Sequence, residues 1–181
     1  NELDAAAIER LIARLESRAK DKVFTRLFDR YAPELVPGVN GRVLEVGCGT
    51  GATLRALVRR PDFKGRAVGV DQSADFIGAA RKFLANETFA DQVEFDVGDA
   101  HRLDFPDASF DIVFAHTLIS HVTDPLSVLK EMVRLVKPGG KLAIFDGDYA
   151  SMTYALPDHD LGQRLDAALV KDSFNNPRIM R

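Results

Sequence analysis

Cysteine is nearly absent from this chain. Cys48 stands alone, which excludes an internal disulfide and a multi-cysteine metal site, and no metal is expected. No apolar run approaches the length of a membrane span, and no signal-peptide pattern opens the sequence, so the simplest reading is cytoplasmic. An excess of positive charge is missing too. Lys and Arg number 24 against 27 Asp and Glu, for a net charge of −3, which speaks against nucleic acid as the main partner. There are no repeats, no low-complexity segments and no sign of a second core. What remains is 181 residues, 46% apolar and 28% charged, enough for one globular domain.

Leu3 to Lys20 carries Ile8, Leu11, Ile12 and Leu15 at helical spacing. Asp21 caps a second helix bearing Val23, Phe24, Leu27, Phe28 and Tyr31, which ends before Pro33. These two helices read as packing on the domain, with a lid over a ligand as the functional alternative. From residue 41 onward strands and helices alternate. Strands are expected at Val43–Val46, Arg66–Val70, Val93–Val97, Ile112–Ala115 and Leu142–Phe145. Helices follow from Ala52, from the Ser73 cap and from Asp124-Pro125. Lys137-Pro138-Gly139-Gly140 is expected to stop the last of these. Leu161 to Val170 reads as a helix and Ser173 to Arg181 as irregular. The alternation predicts an α/β fold with a doubly wound, mostly parallel sheet, whose ligand lies beyond the carboxyl ends of the strands.

Val43-Leu44-Glu45-Val46-Gly47-Cys48-Gly49-Thr50-Gly51 organises that sheet. A buried strand runs into a turn with glycine at alternate positions, then into a helix whose free N–H groups suit an anionic group. Glu45 is costly inside an apolar strand unless paired, and an ammonium-bearing ligand would pair it. Asp71 follows Gly51 by 20 residues and ends the second strand, where a carboxylate can accept both hydroxyls of a ribose. Asp99 follows the third strand, where it could accept from an amino group such as adenine N6. Three carboxylates at consecutive strand ends beside a glycine turn point to a nucleoside. The turn also satisfies the loose dinucleotide fingerprint, G-x-G-x-x-G/A. Against a dinucleotide stands the Glu45 charge, near where a pyrophosphate would lie.

The run from Val43 to Gly51 resembles motif I of class I S-adenosylmethionine-dependent methyltransferases. Val68-Gly69-Val70-Asp71-Gln72-Ser73 resembles their acidic second motif, and Val97-Gly98-Asp99-Ala100 with Leu103-Asp104-Phe105-Pro106-Asp107 the third. Phe110-Asp111-Ile112-Val113, His121-Val122-Thr123-Asp124-Pro125 and Leu135-Val136-Lys137-Pro138-Gly139-Gly140 resemble later segments in the same order. The nearest subgroup is similar to small-molecule enzymes that include quinone-biosynthesis C-methyltransferases. The resemblance implies a Rossmann-like methyltransferase fold, with residues 1–40 as an N-terminal helical cap and 41–181 as the domain that binds S-adenosylmethionine and releases S-adenosylhomocysteine. It places Gly47, Cys48, Gly49 and Gly51 against the methionine part and Glu45 near its ammonium. Asp71 would hold the ribose hydroxyls with Gln72 beside the adenine. Asp99 and the Ala100 N–H would read the adenine edge. His116 would lie near the methionine moiety or the methyl, as a cofactor-binding residue and the candidate general base.

The expected reaction is in-line methyl transfer to a small-molecule acceptor. Two alternatives stay open: an NAD(P)-dependent reductase, for which no Tyr-x-x-x-Lys pair is present, and a non-catalytic cofactor-binding domain. His121 reads as a packing residue at a helix entry. Asp146 and Asp148 face either the acceptor or solvent, and His159 falls in a loop without a role. The antiparallel strand pair that usually closes this fold after the fifth strand is not evident, so the expectation is either that the natural chain continues beyond Arg181 or that this is an incomplete form with an open sheet edge. Ala115-His116-Thr117-Leu118 replaces the Asn-Pro-Pro-Tyr type segment of amino-methylating enzymes acting on DNA and protein glutamine, which weakens those substrates.

Overall fold

The computed structural model of the chain describes residues 4–151, 156–172 and 175–176. Five parallel strands form one sheet in the order β3-β2-β1-β4-β5. They are β1 (Arg42–Val46), β2 (Arg66–Asp71), β3 (Val93–Val97), β4 (Phe110–His116) and β5 (Val136–Phe145). The chain leaves β1 in one direction for β2 and β3, then returns to the other side of β1 for β4 and β5. The switch between β1 and β4 opens a crevice at the strand tips, where such sheets take their ligands.

Residue parity divides the core in two. Val43, Ala67, Val93, Phe95, Ile112 and Phe114 point to one face, under α3 (Ala52–Val58) and α4 (Ala74–Leu84). Leu44, Val46, Val68, Val70, Val113 and Ala115 point to the other, covered by Val128, Met132 and Leu135 of α5 (Pro125–Leu135). Both faces are packed, so the central strands read as continuous apolar runs rather than alternating ones.

The expected caps are present. Asp21 Oδ1 accepts from the N–H groups of Val23 and Phe24, Ser73 Oγ from Phe76 and Asp124 Oδ1 from Ser127. α1 (Ala5–Ala19) and α2 (Lys22–Tyr31) pack over the strand tips. Their main clamp is Glu16, whose carboxylate takes two bonds from Arg55 Nη2, at 3.0 and 2.8 Å, and one from Thr50 Oγ1 at 2.6 Å.

Two expectations need correction. Helix α5 does stop at Leu135, just before Lys137-Pro138-Gly139-Gly140, but β5 begins at Val136 rather than Leu142, and these four residues bulge within it between the pairs Phe110↔Val136 and Ile112↔Lys141. Lys137 Nζ meets both oxygens of Asp111 at 2.9 Å inside that bulge, and Gly139 turns it with φ 78°. His159 is not in a loop but opens α6 (His159–Asp172), which contains the expected 161–170 helix. Of the stretch read as irregular from Ser173, only Asn175 and Asn176 lie within the described residues. Leu142 and Ile144 of β5 are exposed, and β5 pairs with β4 alone among the described residues.

Candidate functional site

The glycine turn takes its shape from three left-handed residues, Gly47, Gly49 and Gly51, with φ of 73°, 54° and 72°. Their reasons differ. A Cβ on Gly51 would meet the Phe95 ring at 2.2 Å, and one on Gly47 would meet Leu118 at 2.6 Å. Those two glycines make room for the protein itself. At Gly49 the nearest atom is Leu15 Cδ1 at 3.4 Å, so this backbone is the stretch left bare toward the cavity. The turn is tied to β2 by bonds from the Gly47 and Cys48 N–H groups to the Val70 carbonyl, at 2.8 and 2.9 Å.

Asp71 completes that tie. Its Oδ2 accepts from Gly49 N–H at 2.8 Å and its Oδ1 from Ser73 N–H at 2.9 Å. A carboxylate offers about four lone-pair sites, so each oxygen keeps one for a ligand hydroxyl.

Glu45 is 1% exposed, and its Oε2 has no hydrogen-bond partner among the described residues. Burial lifts its carboxyl well above the usual carboxylate range. The Asp71 charge adds to the rise, while the Leu54 N–H and the Arg55 guanidinium offset part of it. Glu45 shares a cavity of about 320 Å³ with Gly47, Cys48, Gly49, Asp71 and Gln72. Cys48 is buried, and burial pushes its thiol well above the ordinary range, so it fills the turn as an unreactive side chain.

A second lobe of about 250 Å³ continues past Gly47, Asp71 and Gln72 to Asp99 and Ala100. The Asp99 carboxylate is held by His101, from its backbone N–H at 3.0 Å and its Nδ1 at 2.6 Å, and these bonds set it below the usual carboxylate range. Apart from Gly51, which packs on Phe95, the site residues singled out in the sequence therefore line one crevice across the tips of β1, β2, β3 and β4.

His116 closes the other end. Its Nδ1 lies 2.5 Å from Tyr31 Oη, and its ring lies 4.8 Å from that of Phe145, centroid to centroid, tilted by 44°. Burial, and then the Arg18 charge, lower its pKa from 6.5 to about 4, although Asp146 works the other way. Burial and the Glu45 charge raise the Tyr31 phenol, so Tyr31 keeps its proton. The phenol O–H then donates to Nδ1, and the imidazole proton sits on Nε2.

Sequence reasoning missed the roof and one wall. Leu15, Arg18, Phe24 and Phe28 of the first two helices line the larger lobe. Arg18 continues the apolar stripe Ile8, Leu11, Leu15 at helical spacing, and a cation on a core-facing stripe is the signal that could have marked it. His121 is not a packing residue at a helix entry. It is exposed and borders both lobes. Burial of its inner side lowers its pKa, with Asp146 opposing and Arg18 assisting. Asp146 faces neither solvent alone nor the open cavity, since its carboxylate holds Ser120 by N–H and O–H at 2.9 and 2.8 Å.

Known proteins resemble this chain in sequence and fold. The sequence profile of a methyltransferase domain matches residues 44–144. The 27-O-demethylrifamycin SV methyltransferase of Amycolatopsis mediterranei is 33% identical over 72% of this chain and 47% of its own. The ubiquinone/menaquinone biosynthesis C-methyltransferase of Hydrogenovibrio crunogenus is 33% identical over 67% of this chain and 48% of its own. The chain thus spans about half the length of these curated relatives. The crystal structure of a SAM-dependent methyltransferase from Aquifex aeolicus matches in fold, with a TM-score of 0.64 at 23% identity, over 95% of this chain and 88% of that one.

Proposed function

The chain belongs to the methyltransferase-domain family, whose cofactor is S-adenosylmethionine, and from that premise we propose that it transfers the cofactor's methyl group to a small-molecule acceptor. The observation that carries this reading is the unpaired Oε2 of Glu45, buried at the tip of β1 beside the bare Gly49 backbone. A lone buried carboxylate fits a ligand with an ammonium group and disfavours a pyrophosphate at the same place. Asp71 fits the ribose and the Asp99 lobe the adenine, so the residues present fit the cofactor along its length.

When bound, the cofactor supplies a methyl on a sulfonium, an activated leaving group displaced in line. The chain has to orient that methyl, admit the acceptor and exclude water. Glu45, Asp71 and Asp99 fix position along the crevice. Leu15, Phe24, Phe28 and Leu118 keep the larger lobe apolar. His116 and His121 are the titratable groups on the acceptor side. With a pKa of about 4, His116 is neutral at physiological pH; with Tyr31 on Nδ1 and the proton on Nε2 it offers the acceptor a hydrogen-bond donor, and it serves as a base only once the Tyr31 O–H leaves Nδ1. Its assignment as the catalytic group, and those of Glu45, Gly47, Cys48, Gly49, Gly51, Asp71, Gln72, Asp99 and Ala100 to the cofactor, are part of this proposal. Among the described residues no helix is long and apolar enough to cross a membrane.

The test is transfer of a labelled methyl from S-adenosylmethionine to a panel of quinols, phenols and small amines. Label on one acceptor class is the expected result. A chain that binds the cofactor yet labels nothing in the panel would favour a non-catalytic binding domain.

A further inference from the structure

The segment 118–122 divides the two lobes of the crevice. Leu118 and His121 border both of them. Leu118 also packs on the glycine turn, where a Cβ on Gly47 would meet its side chain at 2.6 Å. The segment follows Thr117, whose φ of 56° is a left-handed conformation that a β-branched residue adopts only under constraint. It belongs to no helix or strand, so no ladder of its own holds it in place.

Two distant parts of the chain hold it instead. Asp146 takes its donors, accepting from the Ser120 N–H and O–H. Asn176 takes its carbonyls. The Asn176 N–H donates to the Ser120 oxygen at 2.9 Å, and its Nδ2 donates to the oxygens of Ile119 and Val122 at 3.0 and 2.6 Å. A carboxamide has two N–H donors, and both are spent on this one segment. Ile119 and Ser120 are 1% and 0% exposed, where a carbonyl without a partner is costly. The neighbouring Asn175 donates to the His121 carbonyl and borders the second lobe. Asn176 itself borders neither lobe.

We infer that Asn176 is a positioning residue of the crevice: it fixes the 118–122 segment where Leu118 and His121 shape both lobes, and so couples the chain beyond α6 to ligand binding. The identity of that ligand rests on the methyltransferase reading. The coupling is reciprocal, so a docked Asn176 that favours the ligand is itself favoured by the ligand to the same degree.

Hydrogen exchange and titration calorimetry on the full chain test it, with the wild type, N176D and N176A. N176D sets a carboxylate oxygen against two carbonyls, and N176A removes both donors without adding charge. In the free proteins, the Ser120 and His121 N–H groups, both hydrogen-bonded in the wild type, should exchange about tenfold or more faster in either variant. The amides of β1 and the urea midpoint should stay at wild-type values. S-adenosylhomocysteine should bind N176D about tenfold more weakly than the wild type, and N176A by a smaller factor. Saturating the wild type with S-adenosylhomocysteine should slow exchange of the Asn176 N–H itself, a response that a bond serving stability alone would not give. Unchanged exchange at Ser120 and His121 would overturn the inference, as would a loosened segment with unchanged affinity or an Asn176 N–H indifferent to ligand. Faster exchange throughout β1 with a lowered urea midpoint would make Asn176 a general stability residue and overturn it too. A wild type that does not bind S-adenosylhomocysteine would remove the methyltransferase reading and this coupling with it, a result distinct from binding that the variants leave unchanged.

Discussion

Glu45 sets the proton balance of the site. Its folded pKa is raised, so between the ordinary carboxylate range and that raised value the folded chain holds a proton that the unfolded chain has released. Glu45 therefore favours folding at low pH, and its contribution declines as pH rises through that window. An ammonium ligand favours the carboxylate and expels the proton. S-adenosylhomocysteine binding should then release protons across the window, read as a dependence of binding heat on buffer ionisation heat, and E45Q should abolish the effect. Proton-neutral binding by the wild type would contradict the pairing. His116 shows the opposite sign of folded-state stability. Its pKa is depressed from 6.5 to about 4, so the unfolded chain gains the proton first and stability falls as pH drops through that range. In urea unfolding, the change in stability from pH 7 to pH 5 should be less favourable in the wild type than in H116N by about 2 kcal/mol, since the Glu45 contribution is common to both. Equal changes in both proteins would place the titration elsewhere. Glu45 and Asp71 were legible in the sequence because each sits at a fixed offset from the glycine turn. Arg18, Tyr31 and His121 were not, because only tertiary packing brings them to it.

Elements divide between those whose signals are local and those set by neighbours. The caps at Asp21, Ser73 and Asp124 need only a side chain and the N–H two or three residues on, so they read correctly. The bulge in β5 did not, because Lys137 turns inward for Asp111, a partner 26 residues away. The glycine turn separates packing from binding. G51A drives a Cβ into Phe95 and should destabilise the fold by about 2–4 kcal/mol in thermal or urea unfolding. G49A meets only Leu15 Cδ1, at an ordinary contact distance of 3.4 Å, should cost about 1 kcal/mol of stability for its left-handed backbone, and should chiefly weaken cofactor binding. Equal stability losses would show that the turn's backbone conformation, rather than the Phe95 contact, dominates. The clamp between Glu16 and Arg55 is nearly buried, with side-chain exposures of 16% and 8%. E16A removes the carboxylate from Arg55 and from the Thr50 hydroxyl beneath α1, leaving Arg55 its bond to the Thr50 carbonyl at 2.6 Å, and should cost about 3 kcal/mol in urea unfolding. A loss under about 1 kcal/mol would mean that α1 docks through its apolar stripe alone.

The whole molecule is arranged around the reversal between β1 and β4. Strand order was legible in outline because alternating strand and helix segments permit few topologies. The reversal places the tips of β1, β2 and β3 side by side, and this turns scattered carboxylates into one crevice. The two helices before β1 complete it as a roof, a role that their apolar spacing alone left open between packing and lid. The pair is packed on the domain and borders the crevice, since Glu16 of α1 clamps Arg55 and Tyr31 of α2 bonds His116. The central claim is that this crevice takes a sulfonium nucleoside by its ammonium and ribose rather than a dinucleotide by its pyrophosphate. The most direct test is competitive titration calorimetry of the chain with S-adenosylhomocysteine and NADH. The account predicts one-to-one binding of S-adenosylhomocysteine that NADH does not displace; binding of NADH with no response to S-adenosylhomocysteine would contradict it.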